Sequence, residues 1–69
     1  MAKSVYKIIE LVGKSPKSWE DAAKNAIETA SRSLNDMRIA EVAELDMQID
    51  QGRVVSYRAR VKVSFKYRG

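Results

Sequence analysis

Four carboxylates, Glu41, Glu44, Asp46 and Asp50, run through the otherwise largely apolar segment MRIAEVAELDMQID (37–50). Carboxylate oxygens suit hard cations such as Ca²⁺ or Mg²⁺. They suit Lys and Arg equally well, as ion-pair partners on a solvated face. Softer chemistry is excluded by composition, because the chain has no Cys and no His. Disulfides, thiolate or imidazole metal sites, and Ser–His or Cys–His nucleophiles are all ruled out. The serines lack a base, and no acid pair has a spacing that forces proximity. The sequence therefore reads as a binding or storage protein and not an enzyme. Ca²⁺ takes about six to eight oxygens, more than one strand supplies at period-two spacing. Carbonyls, water or a neighbouring subunit must contribute, and no EF-hand pattern is present.

The cations are segregated from the acids. Residues 53–69 carry six basic residues (Arg53, Arg58, Arg60, Lys62, Lys66, Arg68) and no acid, while residues 17–50 carry eight acids and four basic residues. Such segregation in a chain of net charge +4 implies internal pairing first and a charged surface second. The functional alternative is a site for phosphate or another small anion, or for nucleic acid. Tyr57, Phe65 and Tyr67 alternate with Arg and Lys as in a stacking platform. Their parity puts them on the side that faces a helix, which disfavours nucleic acid.

These residues must be positioned by few elements, since 69 residues make one domain, 1–69. So short a chain buries a modest core and usually needs a staple or a partner subunit. No apolar run approaches a membrane span and no signal peptide shows at MAKSVYK, so the expectation is a soluble, cytoplasmic protein without membrane contact.

SVYKIIELVG (4–13) is rich in β-branched residues and reads as a strand with two largely apolar faces. Residues 15–34 read as a helix: Ser15 or Ser18 can cap it, Pro16 suits its first position, and Trp19, Ala22, Ala23, Ala26, Ile27, Ala30 and Leu34 form a stripe. The stripe is mostly Ala, which lets a sheet approach closely, and Trp19 on it reads as core packing. Glu20–Lys24 and Glu28–Arg32 are expected as i,i+4 pairs.

VVSYRARVKVSFKY (54–67) alternates plainly, and 37–50 is its nearest partner, so the two form a hairpin. Matching the apolar faces calls for a three-residue loop, Gln51–Gly52–Arg53, with Gly52 left-handed. That register sets Asp46 opposite Arg58 and Glu44 opposite Arg60, and leaves Asp50 with no cation directly opposite. Strict alternation would bury Glu41. A β-bulge near residues 40–43 would turn Ile39 and Glu41 outward, onto the face of Arg58. The order is β-α-β-β, an α+β fold with a three-stranded antiparallel sheet around one helix and the third strand central. The far face, with Tyr6, Ile8, Val12 and Val42 among charges, is too apolar for solvent and too charged for a core, as at a subunit interface.

VYKIIELVG, SWEDAAKNAIETASRSL, AEV (40–42) and YRARVKVSF (57–65) resemble the dodecin family over essentially the whole chain. The resemblance implies a homododecamer of trimers, a hollow shell of β-α-β-β subunits that holds small ligands. Flavin-binding dodecins stack paired isoalloxazine rings between Trp residues of adjacent subunits, with a Gln bonded to the ring. Those positions are Ile39 and Arg58 here, both departures from the pattern. SPKSWE, LDMQID and SFK look more like the calcium dodecin branch, which lacks the flavin Trp. The resemblance thus favours calcium over riboflavin or FMN. The candidate ligands are, in order, Asp50, Glu41, Asp46 and Glu44, because an Arg-engaged carboxylate has less capacity for a cation.

Overall fold

The computed structural model describes residues 4–67. Its elements are β1 (Tyr6–Ser15), α1 (Trp19–Ala30), β2 (Met37–Asp50) and β3 (Arg53–Lys66). They form the expected β-α-β-β arrangement, with an antiparallel sheet in the order β1-β3-β2. The central place of β3 follows from the crossover through α1. That crossover makes β1 and β2 run the same way, so only β3 can pair antiparallel with both.

β1 runs two residues beyond the expected end at Gly13, because Lys14 and Ser15 pair with Arg58 and Tyr57. This extension delays the helix. Ser18 is the N-cap and accepts from the Asp21 N–H at 3.0 Å, with Glu20 and Asp21 in the first turn opposing the helix dipole. Pro16 lies before the cap and not at the first helical position. Ser15, the other cap candidate, is buried. It ties the connecting turn instead, donating to Asp21 Oδ2 at 2.6 Å and accepting from the Lys17 N–H at 3.0 Å. The helix ends at Ala30, short of Leu34, with Ser31 as C-cap. Lys24 pairs with Glu28 at 3.9 Å, and neither expected i,i+4 pair forms.

The core is small and built on close approach. Ala22, Ala26, Ala59, Val61 and Val63 are its buried apolar residues, with Ile9, Leu11, Ala23, Ile27 and Met37 packed around them. Gly13 on β1 lies directly beneath the Ala stripe. A Cβ there would stand 1.9 Å from the Ala22 carbonyl oxygen. Trp19 is half-buried at the helix start, outside that core. Its ring meets Tyr57 edge-on at 5.1 Å, and its Nε1–H donates to the Asp46 carbonyl at 3.0 Å.

The hairpin turn differs from the expected one. Asp50 pairs with Arg53, so the loop is the two residues Gln51 and Gly52, both left-handed at φ 52° and 76°. Such a turn matches the right-handed twist of its strands. The parity problem is solved inside the ladder: Ile49 pairs with Val54 and Gln48 with Ser56, so Val55 is an extra residue that restores the register. A second irregularity has Val42 opposite Val61 and Glu44 opposite Arg60, which makes Ala43 the extra residue. This is the anticipated bulge. It puts Glu41 opposite Lys62 and Ile39 opposite Ser64, on the face of Arg58. It also turns Val42 to the helix side, correcting its expected place on the far face. Parity inverts from Val42 back to Ile39, and a further irregularity at Arg38 returns Met37 to the helix side, opposite Phe65.

Helix α1 covers β1 and β3 and leaves the helix-facing side of β2 open. Leu45, Met47 and Ile49 stay exposed there, and a trough of about 310 Å³ lies between Trp19, Glu20, Ala23, Val42 and Leu45. The subunit is elongated, 56 × 21 × 15 Å, with a radius of gyration of 14.4 Å. A compact chain of this length has about 11 Å. It exposes 5461 Å², where a compact monomer of this mass exposes about 4,400 Å².

Candidate functional site

The outer face of the sheet, away from α1, gathers the candidate residues in rows. Across β1, β3 and β2 these are Lys14–Arg58–Asp46, Val12–Arg60–Glu44, Glu10–Lys62–Glu41 and Ile8–Ser64–Ile39. Alternation puts these side chains on one face. The Ala43 bulge keeps the last two rows in phase with the first two.

Asp46 and Arg58 form a bidentate pair, with Nε to Oδ1 and Nη2 to Oδ2 both at 2.8 Å. Bidentate, charge-assisted pairs are the strong and geometrically specific kind. The Arg58 hydrogen bond outweighs partial desolvation and, with the charges of Arg58 and Arg60, holds the Asp46 carboxyl below its ordinary value. The same bond raises the Arg58 guanidinium further. Arg60 reaches Glu44 at 3.4 Å. Both expected cross-strand pairs are therefore present.

The other two acids make no ion pair among the described residues. Glu41 faces Lys62 without bonding it, and Asp50 faces Arg53. The register thus places a cation directly opposite Asp50, contrary to expectation, because the shorter loop brings Arg53 into the ladder. Among the described residues no three acidic groups come close enough to share a metal. The reason is geometric. Glu41 and Asp50 are nine residues apart on one strand, about 30 Å at a rise of about 3.3 Å per residue.

Ile39 and Arg58 share the outer face, but Ile39 lies beside Ser64, six residues along β3 from Arg58 and about 20 Å away. A pocket using both positions has to draw them from two chains. Ile39 is 64% exposed and offers no aromatic surface. Arg68 of the basic run lies outside the described residues. Tyr57 and Phe65 face the helix side, opposite Met47 and Met37, and form no stacking platform on the basic face. No helix among the described residues is long and apolar enough to cross a membrane.

The roles of Trp19 and Gly13 were the features least visible in the sequence. Trp19 anchors the backbone of Asp46, the residue that holds Arg58, so the helix start and the outer face are joined through one position. An aromatic at a helix start gives no sign of such a partner 27 residues away.

A β-α-β-β subunit with one helix on a three-stranded antiparallel sheet and its last strand central defines a class of small α+β proteins. The family model Dodecin matches residues 5–68, and the chain belongs to the dodecin family. It is 48% identical over 65 residues to calcium dodecin of Mycobacterium tuberculosis (strain ATCC 25618 / H37Rv), covering 94% of this chain and 92% of that protein. The crystal structure of that calcium-chelating protein, described as having a novel calcium-binding site, matches with a TM-score of 0.83 over 94% of this chain and 93% of that one. Dodecin from Streptomyces coelicolor matches with a TM-score of 0.92 at 30% identity, covering 100% of this chain and 99% of that one. The expected kinship with the calcium dodecin branch is borne out.

Proposed function

We propose that this chain is a calcium-binding dodecin that works as a homododecamer of trimers in the cytoplasm, a storage or buffering protein and not an enzyme. The observation that carries the reading is the 48% identity, over nearly the whole chain, to a protein named for calcium. Two features of the subunit support it. Glu41 and Asp50 carry no ion pair among the described residues, whereas Asp46 and Glu44 are engaged by Arg58 and Arg60. Glu41 and Asp50 are thus the carboxylates most available to a cation. The Gln51 carbonyl lies beside Asp50, and β2 is an edge strand whose outward carbonyls add oxygen donors. The remaining ligands come from a neighbouring subunit or water.

Self-association is supported by the small core, the excess exposed surface and the uncovered flank of β2. Exposed Tyr6, Ile8, Val12 and Ile39 on the outer face point the same way. Flavin is disfavoured as the ligand. Aromatic stacking adds about 0.5–1.5 kcal/mol per pair beyond area burial, and Ile39 supplies none. Arg58 lacks an amide acceptor and is held by Asp46.

Light scattering at micromolar concentration should give twelve times the 7.8 kDa subunit mass; a monomer or dimer sinks the assembly reading. Ca²⁺ that binds only the folded assembly should raise its melting temperature relative to EGTA. The rise should shrink in Asp50→Asn and Glu41→Gln. A rise that survives both substitutions places the metal elsewhere, with Glu10 and the carbonyls of residues 13–18 next in order.

A further inference from the structure

The outer-face rows differ in how their central cations are flanked. Lys62 sits between two carboxylates, Glu10 and Glu41, and bonds neither. Arg60 sits between Val12 and Glu44. Arg58 alone sits between a cation and an anion, with Lys14 directly across on β1 and Asp46 directly across on β2. Side chains directly opposite in an antiparallel pair have Cβ atoms about 4.5–5.5 Å apart, and like charges there repel. Arg58 resolves the conflict by turning to Asp46 with Nε and Nη2 together. Lys14 is left with no ion-pair partner among the described residues.

Two cations on facing strand positions, one of them a planar fork, are donors of the kind that bind a phosphoryl group. Directly opposite Arg58 on β2, the Asp46 carboxylate opposes that use, and it is firmly placed. Its side chain is held by two 2.8 Å bonds and its backbone carbonyl by the Trp19 indole at 3.0 Å. In the single subunit Arg58 and Asp46 are each about half exposed, at 46% and 51%.

We propose that Asp46 is a ligand-selecting residue: by occupying Arg58 it keeps shut a two-cation phosphate clamp, Lys14 with Arg58, and so turns the outer sheet face away from phosphate-bearing ligands. The role is independent of calcium.

The test is equilibrium dialysis of the full-length assembly against ³²P-pyrophosphate at low ionic strength, with EGTA in every arm so that calcium neither bridges nor competes. Asp46→Asn should bind pyrophosphate at least about tenfold more tightly than the parent, the gain expected from freeing one charge-assisted contact. Added salt should weaken that binding. Glu20→Gln, on the helix, makes the same change in net charge without freeing a paired cation, and should leave affinity within about twofold of the parent. Lys14→Ala in the Asp46→Asn background should return affinity to the parent value. The inference is overturned if Asp46→Asn binds no better than the parent, if Glu20→Gln matches it, or if the gain survives Lys14→Ala. Circular dichroism and light scattering check fold and assembly. Should Asn at position 46 disturb them, Asp46→Thr, with its strand-favouring side chain, repeats the comparison. Loss of the calcium response in the melting experiment leaves these outcomes unchanged, so the two readings fail separately.

Discussion

Gly13→Ala tests the packing on which the whole subunit rests. The added Cβ would stand 1.9 Å from the Ala22 carbonyl oxygen, 2.9 Å from the Ala22 carbonyl carbon and 2.9 Å from the Ala26 Cβ, where ordinary contact begins at 3.4 Å. Relief needs a shift of 3.4 − 1.9 = 1.5 Å at the first contact. The atoms in the way are helix backbone, which has no rotamer to change, so α1 must lift off the sheet or β1 must bend. Overpacking a tight core costs about 1–3 kcal/mol, occasionally more, and a backbone clash belongs at the upper end. Stiffening the unfolded chain offsets only about 0.4–1 kcal/mol. A net loss of about 2 kcal/mol lowers the melting temperature by about 8–16 °C for a domain of this size. The assay is a thermal melt by circular dichroism at fixed protomer concentration, since assembly makes the midpoint concentration-dependent. Ala22→Gly should not rescue the variant, because the obstructing oxygen belongs to the backbone. A Gly13→Ala midpoint within about 2 °C of the parent, or rescue by Ala22→Gly, would refute the steric account.

Other outcomes follow from the hairpin and the outer face. The lowered Asp46 carboxyl contributes stability above its unfolded value and loses it as pH falls through the folded one. The melting gap between parent and Asp46→Asn should therefore be full at neutral pH and close on acidification below about pH 4; a gap unchanged at low pH contradicts the ion-pair assignment. Trp19→Phe keeps a ring against Tyr57 but removes the indole donor to the Asp46 carbonyl. It should cost about 0.5–1.5 kcal/mol, read by a circular-dichroism melt, and an unchanged midpoint would show that the bond adds nothing. Ile39→Trp combined with Arg58→Gln should raise riboflavin affinity, followed by fluorescence quenching. No increase would remove these positions from a flavin pocket in this chain.

Much of this architecture was legible in single residues. Matching the apolar faces set Asp46 opposite Arg58 and Glu44 opposite Arg60, and the structure has both pairs. Glu41 could not sit on the core face, and that conflict called for a bulge near residues 40–43, which the structure puts at Ala43. The turn was not legible, because the extra residue could enter the loop as Arg53 or the ladder as Val55. The choice depended on Gln51 accepting a left-handed backbone at φ 52°. The helix start was ambiguous for a similar reason. Ser15 and Ser18 are equal caps by residue type, and Ser15 was withdrawn from the helix by its pairing with Tyr57 across the sheet. No metal site was legible in the sequence, and none forms within one subunit among the described residues. A strand spreads Glu41 and Asp50 too far apart to meet within one chain, and contacts between copies are not read from a single sequence.

The central claim is calcium binding by the assembled protein through the unpaired carboxylates of β2. It is tested most directly by isothermal titration of Ca²⁺ into metal-stripped protein, with Asp50→Asn and Glu41→Gln titrated alongside. The account predicts saturable binding with a fixed number of ions per subunit and a clear loss of affinity in at least one of the two variants. No heat of binding and no uptake of calcium by the parent protein would contradict it.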